Sequence, residues 1–283
     1  MPVSLPPALG LSLDLLRCPT CRTRQLHPAR GALRCPVGHT FDIARHGYAG
    51  LLTGTRATSG DDATMVRARD RFLSTGTYTP IRTAVGRLAA DAVCERATVV
   101  DVGCGTGYYL AGVLDQFPDA RGLGLDTSVR ALRSAARAHE RAAAVAWDVF
   151  RPLPLADAAA DVVLNVFAPR NPAEFHRVLH PAGRLIVVRP TGRHLAELRG
   201  RLPAMVTIDP AKEQRLRRAL DPFFEASVTE QVEYPATLTR LDARDLVAMT
   251  PSARHVNGAD LSEDGLLPDQ VTVSVLATAY QPR

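Results

Sequence analysis

Thr98 to Gly107 reads TVVDVGCGTG, and no other stretch limits the possible folds so tightly. A β-branched apolar run ends in Asp101 and passes at once into Gly103, Gly105 and Gly107, so a buried strand stops where bare backbone must turn or approach a ligand closely. Strands and helices alternate from here on. Strands are expected at 98–102, 121–126, 143–147, 161–166 and 184–189, with helices at 107–117, 128–139 and 171–179. Such alternation predicts a parallel sheet with helices on both faces. Val271, Val273 and Val275 alternate with Thr272 and Ser274, and no crossover helix follows, which predicts a half-buried last strand in an antiparallel pair. Helical spacing over 212–220 and 242–249 fills the interval. The expected fold class is therefore α/β and Rossmann-like, with its ligand beyond the carboxyl ends of the strands.

Four acids or amides end predicted strands: Asp101, Asp126, Asp148 and Asn165. Each has a competing reading as a cap on the turn that follows it. A dinucleotide fingerprint would need glycine at 108, where Tyr108 stands. The acid followed by Gly103, Gly105 and Gly107 resembles motif I of the class I S-adenosylmethionine methyltransferases. RVLHPAG at 177–183 resembles their R-V-L-K-P-G-G signature, with Ala182 in place of one glycine. On this reading Asp126 accepts the ribose hydroxyls, Asp148 takes the adenine amino group, and the Gly105-Thr106 backbone approaches the methionine part. Cys104 reads as small filler, because no paired base is evident nearby.

Upstream, Cys18, Cys21, Cys35 and His39 form C-x2-C-x13-C-x3-H, two close pairs spaced to surround a tetrahedral zinc ion. Four protein ligands leave no open position, so the metal is expected to be structural and to supply free energy that so short a segment lacks. Residues 1–60 hold seven arginines against Asp14 and Asp42, a surplus of five that equals the formal charge of the whole chain. Arg22, Arg24, Arg30 and Arg34 lie between or beside the ligands, where they could meet RNA phosphates. Gly47 to Gly60 reads as a linker; Asp61 and Asp62 sit where an N-cap belongs, opening an Arg-rich helix that ends near Gly76. Ile81, Val85, Leu88 and Ala89 then recur at helical spacing. Hydrophobic content of 46% and the lack of any apolar run near the roughly 20 residues of a membrane span exclude an integral membrane protein. The first 16 residues carry no secretory pattern, so a cytoplasmic location is expected.

With both parts in place the chain resembles the 23S rRNA guanine-N1 methyltransferases, in the branch tied to macrolide resistance in actinomycetes. The resemblance rests on CPTC, CPVGHTFD, HGYAGLL, DDATMVRARDRFLSTGTYTP, DVGCGTGYY, NVFAPRNPAE, RPTGRHLAEL and MTPSARH. It implies a zinc-binding RNA-recognition module at 1–50, a linker and Arg-rich helix at 51–80, and a methyltransferase domain at 81–283. It implies zinc on Cys18, Cys21, Cys35 and His39, and S-adenosylmethionine contacts from Tyr78, Gly105, Thr106 and His194, besides Asp101, Gly103, Asp126 and Asp148. The implied reaction is methyl transfer to guanine N1 in a 23S rRNA hairpin, with a homodimer as the implied assembly. Asn165 and Phe167 stand where base N-methyltransferases place a polar residue and a stacking aromatic, although NVFAPR departs from N-P-P-Y. Two other functions remain compatible with the residues alone: a small-molecule methyltransferase, or a non-enzymatic zinc RNA-binding protein.

Overall fold

The structure, a computed structural model, describes residues 4–22, 25–54, 60–93, 95–202, 204–205, 211–254, 256 and 267–283. Arg24, Arg56 and His255 lie outside the described residues. The chain opens with α1 (Pro7–Leu11), then a three-stranded antiparallel ribbon of β1 (His27–Ala29), β2 (Ala32–Arg34) and β3 (Thr40–Asp42), and β4 (Ala49–Gly50). Two helices follow, α2 (Ala63–Ser74) and α3 (Thr79–Ala89), and then the alternating core. Its elements are β5 (Thr98–Val102), α4 (Tyr108–Gln116), β6 (Arg121–Asp126), α5 (Val129–Ala135), β7 (Ala142–Ala146), β8 (Ala160–Val166), α6 (Pro172–Val178) and β9 (Leu179–Pro190). The chain closes with α7 (Ala196–Arg201), α8 (Ala211–Leu220), β10 (Phe224–Thr237), α9 (Arg240–Ala248) and β11 (Gln270–Pro282).

The large sheet has the order β10-β11-β9-β8-β5-β6-β7-β4. From β9 to β4 every pairing is parallel, and β11 runs antiparallel to both β9 and β10. The antiparallel final pair is as the valine alternation predicts. From β5 the chain steps outward through β6 and β7 and then crosses back to β8 on the other side of β5, so the strand order reverses between β5 and β8 and places a crevice at their carboxyl ends. All five residues of β5 are buried, because helices cover both faces. Gly122 and Gly124 let α4 and its loop lie close on β6: an added Cβ would come 2.9 Å from Leu110 and Leu114, or 2.7 Å from the Cys104 sulfur.

One apolar cluster, under α3, α4 and α9, includes Phe72, Ile81, Val99, Leu110, Val188 and Val273. The opposite face carries the second cluster, where Val100, Leu123, Val145 and Val187 meet Leu9, Leu16, Leu33, Phe41 and Leu51. The ribbon's apolar side chains thus share a core with the sheet. Backbone bonds from Arg17 to Pro154 (2.8 Å) and from Ala156 to Leu15 (2.9 Å) reinforce that docking.

Three expectations need correction. The Gly47–Gly60 stretch starts with β4, an edge strand of the sheet, and Leu51 is fully buried; a two-residue strand is too short to show periodicity. β10 went unforeseen, because FEASVTEQVEYPAT lies on the sheet edge with mostly exposed, polar side chains. β9 begins at Leu179, five residues before the predicted start, and passes through an irregularity against β8 between Ala160 and Val162. Among the described residues no helix is long and apolar enough to cross a membrane.

Candidate active site and metal centre

The ligand atoms of Cys18, Cys21, Cys35 and His39 all lie within 4.8 Å of one another. Nδ1 of His39 is 3.7 Å from the Cys18 sulfur and 3.3 Å from that of Cys35, and the Cys21 and Cys35 sulfurs are 3.7 Å apart. A tetrahedron with metal–sulfur bonds of about 2.3 Å has edges of about 3.7 Å, so the donor set fits zinc in both chemistry and size. Cys35 lies next to the end of β2 and His39 just before β3, so the hairpin holds this pair while the Cys18–Cys21 turn brings the other.

The crevice between β5 and β8 is walled by the loop 102–106, by Leu125 to Thr127 after β6, by Trp147 to Phe150 after β7, and by Val166 to Pro169 after β8. Gly103 (φ 82°) and Gly107 (φ 85°, the residue before α4) turn the loop through left-handed backbone that side chains resist. At Gly103 there is no room for a Cβ, which would fall 2.4 Å from that of Ala168. Gly105 is open by contrast, with nothing closer to its added Cβ than Arg69 at 3.6 Å. Asp126 stiffens the loop: one oxygen accepts from the Gly105 amide at 2.8 Å and the other from the Ser128 amide at 2.7 Å. Each oxygen keeps a second lone pair for a ligand hydroxyl. Asp148 accepts from the Phe150 amide at 3.0 Å.

Asp101 stands behind this wall at 1% exposure, and neither of its oxygens has a hydrogen-bond partner of good geometry. Burial, and then the nearby Asp126 charge, push its pKa up to about 8, so the carboxyl is protonated at neutral pH.

Aromatic rings close the other end. Phe167 is 38% exposed at the crevice, stacks on His194 (centroids 6.0 Å, planes at 21°), and lies 6.3 Å from Tyr78 and 6.4 Å from Tyr109. Its backbone is left-handed at φ 54°, a conformation that costs a non-glycine residue about 1–2 kcal/mol. His194 comes from the turn before α7, and its proton can be placed. The Ser274 amide, which can only donate, gives its hydrogen to Nδ1 at 3.2 Å. The ring proton of neutral His194 is therefore on Nε2, which donates to the Tyr78 oxygen at 3.4 Å. Tyr78, buried and lining the crevice, keeps its own O–H for a ligand acceptor. Burial, and then the positive charge of Arg199, push the His194 pKa down to about 4.

Comparison with known proteins gives this architecture a family. Residues 99–186 match the family described as "Methyltransferase domain", and residues 16–56 match that described as "RlmA, N-terminal", a zinc ribbon. A "Putative 23S rRNA (guanine-N(1)-)-methyltransferase" of Micromonospora griseorubida is 46% identical, with 95% of this chain and 98% of that one covered. The "23S rRNA (guanine(748)-N(1))-methyltransferase" of Streptomyces fradiae is 44% identical, with 94% and 96% covered. The chain belongs to the 23S rRNA (guanine-N1)-methyltransferase family. It is an S-adenosylmethionine-dependent enzyme with a structural zinc ribbon. Its core shares the fold of a solved "putative methyltransferase from antibiotic biosynthesis pathway" of Anabaena variabilis: TM-score 0.51, 16% identity, 71% of this chain and 96% of that one covered.

Within this methyltransferase, the predicted residues Tyr78, Gly103, Gly105, Thr106, Asp126, Asp148 and Phe167 all line the crevice. Asp101, Asn165 and His194 do not. Asn165 is fully buried, its amide nitrogen donating to the carbonyls of Val102 (3.2 Å) and Pro169 (2.8 Å), so it braces the two loops from behind. That corrects the expectation of a polar group presented to the substrate. Sequence reasoning missed Asp61, Arg69, Met249, Trp147 and Phe150, which also line the site. The Asp61-Asp62 doublet held a signal: Asp62 caps α2 through the Thr64 and Met65 amides, which leaves Asp61 to bind Arg69 at 2.7 Å. The Arg-rich helix is correspondingly less available to RNA than its composition predicts. Arg69 is held by Asp61 and the Met249 carbonyl, and Arg71 makes a two-pronged bond to buried Asp245.

Proposed function

We propose that this methyltransferase transfers a methyl group to N1 of a guanine in a hairpin loop of 23S rRNA, and that the modification confers macrolide resistance. The observation that carries the reading is one chain joining a zinc ribbon, docked on the sheet, to a crevice whose far end is closed by Phe167 and Tyr78, with His194 packed behind them. The names of the Micromonospora and Streptomyces relatives support the substrate. In this reading residues 1–50 recognise RNA, 51–80 connect, and 81–283 carry out transfer, in a cytoplasmic homodimer.

S-adenosylmethionine, when bound, supplies an electrophilic methyl group on sulfur. Asp126 and Asp148 would hold its ribose and adenine, Gly103, Gly105 and Thr106 its methionine part, and Tyr78 would donate to it. Asp101 and His194 act on it from behind, through the loop and through Tyr78. Phe167 offers a face on which the guanine can stack. The N1 edge pairs in duplex RNA, so an unpaired loop nucleotide suits the site. Transfer would join N1 to the methyl carbon as the carbon–sulfur bond breaks, with the N1 proton passing to solvent water. His194 is not its acceptor, since Nδ1 is occupied by Ser274 and Nε2 already carries hydrogen. Most of the rate then comes from positioning.

Primer extension on rRNA from cells with and without the gene tests this reading, because an N1-methyl group stops reverse transcription. A new stop at one guanine is expected. Labelled cofactor that transfers nothing to 23S rRNA would overturn it. Light scattering checks the dimer, and macrolide sensitivity of the two strains checks resistance.

A further inference from the structure

Arg170 follows directly on the crevice wall formed by Phe167, Ala168 and Pro169. Its side chain lies near Arg189 on β9 and Tyr280 on β11. It is half-buried, and its Nε has no exposed surface and no hydrogen-bond partner. Arg217 of α8 also lies near the Tyr280 phenol. Among the described residues the carboxylate bonded in this group is Glu213, which is taken up by Arg189 at 2.9 Å and Arg217 at 3.5 Å. Two guanidiniums therefore share one carboxylate, and Arg170 is left without an ion pair among the described residues.

Several other arginines of this protein are paired with carboxylates. Arg71 has Asp245, Arg69 has Asp61, and Arg177 has both Glu174 and Asp157. A half-buried cation set beside another cation costs stability unless an anion completes it. Burial, followed by the charge of Arg189, lowers the Arg170 pKa from its ordinary value. An orphaned buried donor of this kind marks a missing partner.

We propose that Arg170, supported by Arg189 and Arg217, is a phosphate-binding site for the RNA strand outside the crevice; this rests on the RNA substrate proposed above. A guanidinium with its N–H fork unmade is suited to two-pronged contact with phosphate oxygens. Arg170 follows the crevice wall in the chain, while its side chain turns to Arg189 and Tyr280 outside the crevice, where a strand entering the site could be held by its backbone. Phosphate contacts fix register without reading sequence, which would leave base recognition to the crevice and the ribbon.

The test compares the full-length zinc-loaded enzyme with its Arg170→Ala, Arg170→Met and Arg170→Lys variants. Filter binding to a 23S rRNA transcript, run across a salt series, should show about tenfold weaker binding for Arg170→Ala. The slope of log affinity against log salt should fall by about one counterion. Arg170→Lys should recover the slope but not the full affinity, since it keeps the charge and loses the fork. The melting temperature of Arg170→Met should equal or exceed that of the parent, the opposite of what a purely structural arginine predicts. Unchanged affinity and slope in Arg170→Ala would overturn the proposal, as would a lower melting temperature with RNA binding intact. If inorganic phosphate at matched ionic strength stabilises the parent but not Arg170→Met, while RNA binding is equal in both, the site takes free phosphate and the RNA assignment is wrong. Methylation of 23S rRNA scored on the parent enzyme separates failure of the substrate reading from failure of this site.

Discussion

Replacing His194 by asparagine while lowering the pH isolates a single buried group. In the folded enzyme His194 is 8% exposed and neutral, with its pKa pushed down to about 4 from the ordinary 6.5 by burial and by Arg199. Above pH 6.5 both folded and unfolded chains hold the ring neutral, so it costs nothing. Between 6.5 and about 4 the unfolded chain takes up a proton that the folded chain refuses, and stability falls as pH falls. The interval corresponds to about 3 kcal/mol, most of it reached by pH 4.5. The carboxamide introduced by His194→Asn would keep an acceptor for the Ser274 amide but could not titrate. Urea denaturation followed by circular dichroism at pH 7.5, 6.5, 5.5 and 4.5 should show the parent losing about 3 kcal/mol more than His194→Asn. Acid loss of zinc affects both proteins and cancels in the difference. Parallel profiles for the two proteins across that range would refute a His194 held neutral in the folded enzyme.

Zinc removal should cost the fold more than the ribbon itself, because Leu16, Leu33 and Phe41 belong to the core on one face of the sheet. Chelation is expected to lower the melting temperature of the whole enzyme reversibly, and Cys21→Ser to lower bound zinc in elemental analysis. Gly103→Ala would place a methyl 2.4 Å from the Ala168 side chain at φ 82°. A loss of about 1–3 kcal/mol in denaturant titrations is expected, with weaker S-adenosylmethionine binding by calorimetry. Asp101 has a folded pKa raised to about 8 from 3.8, so its stabilising contribution is full below 3.8 and is lost as pH rises through 8. Asp101→Asn should therefore gain on the parent steadily from pH 5 to pH 8 in melting experiments, and a constant difference would count against a protonated carboxyl.

The local code of this chain is strong where spacing alone sets the outcome. Four zinc ligands at C-x2-C-x13-C-x3-H, three glycines after a buried strand, and acids at strand ends all act over a few residues, so they were legible at once. The alternating β and α signals fixed a parallel sheet, and Asp126, Asp148 and the 103–106 loop duly face one crevice. Long-range burial decided the rest. Asp101 and Asn165 end strands as the pattern requires, yet their side chains point behind the wall, because strand alternation gives no depth relative to a pocket. Asp61, Arg69 and Met249 reach the same crevice from α2 and the end of α9, separated by some 180 residues, and no local spacing encodes that meeting. β4 and β10 exist only because a sheet edge was there to pair with. The proton on His194 and the uncompensated charge of Arg170 are likewise properties of what packs around a side chain, and only the tertiary structure supplies those neighbours.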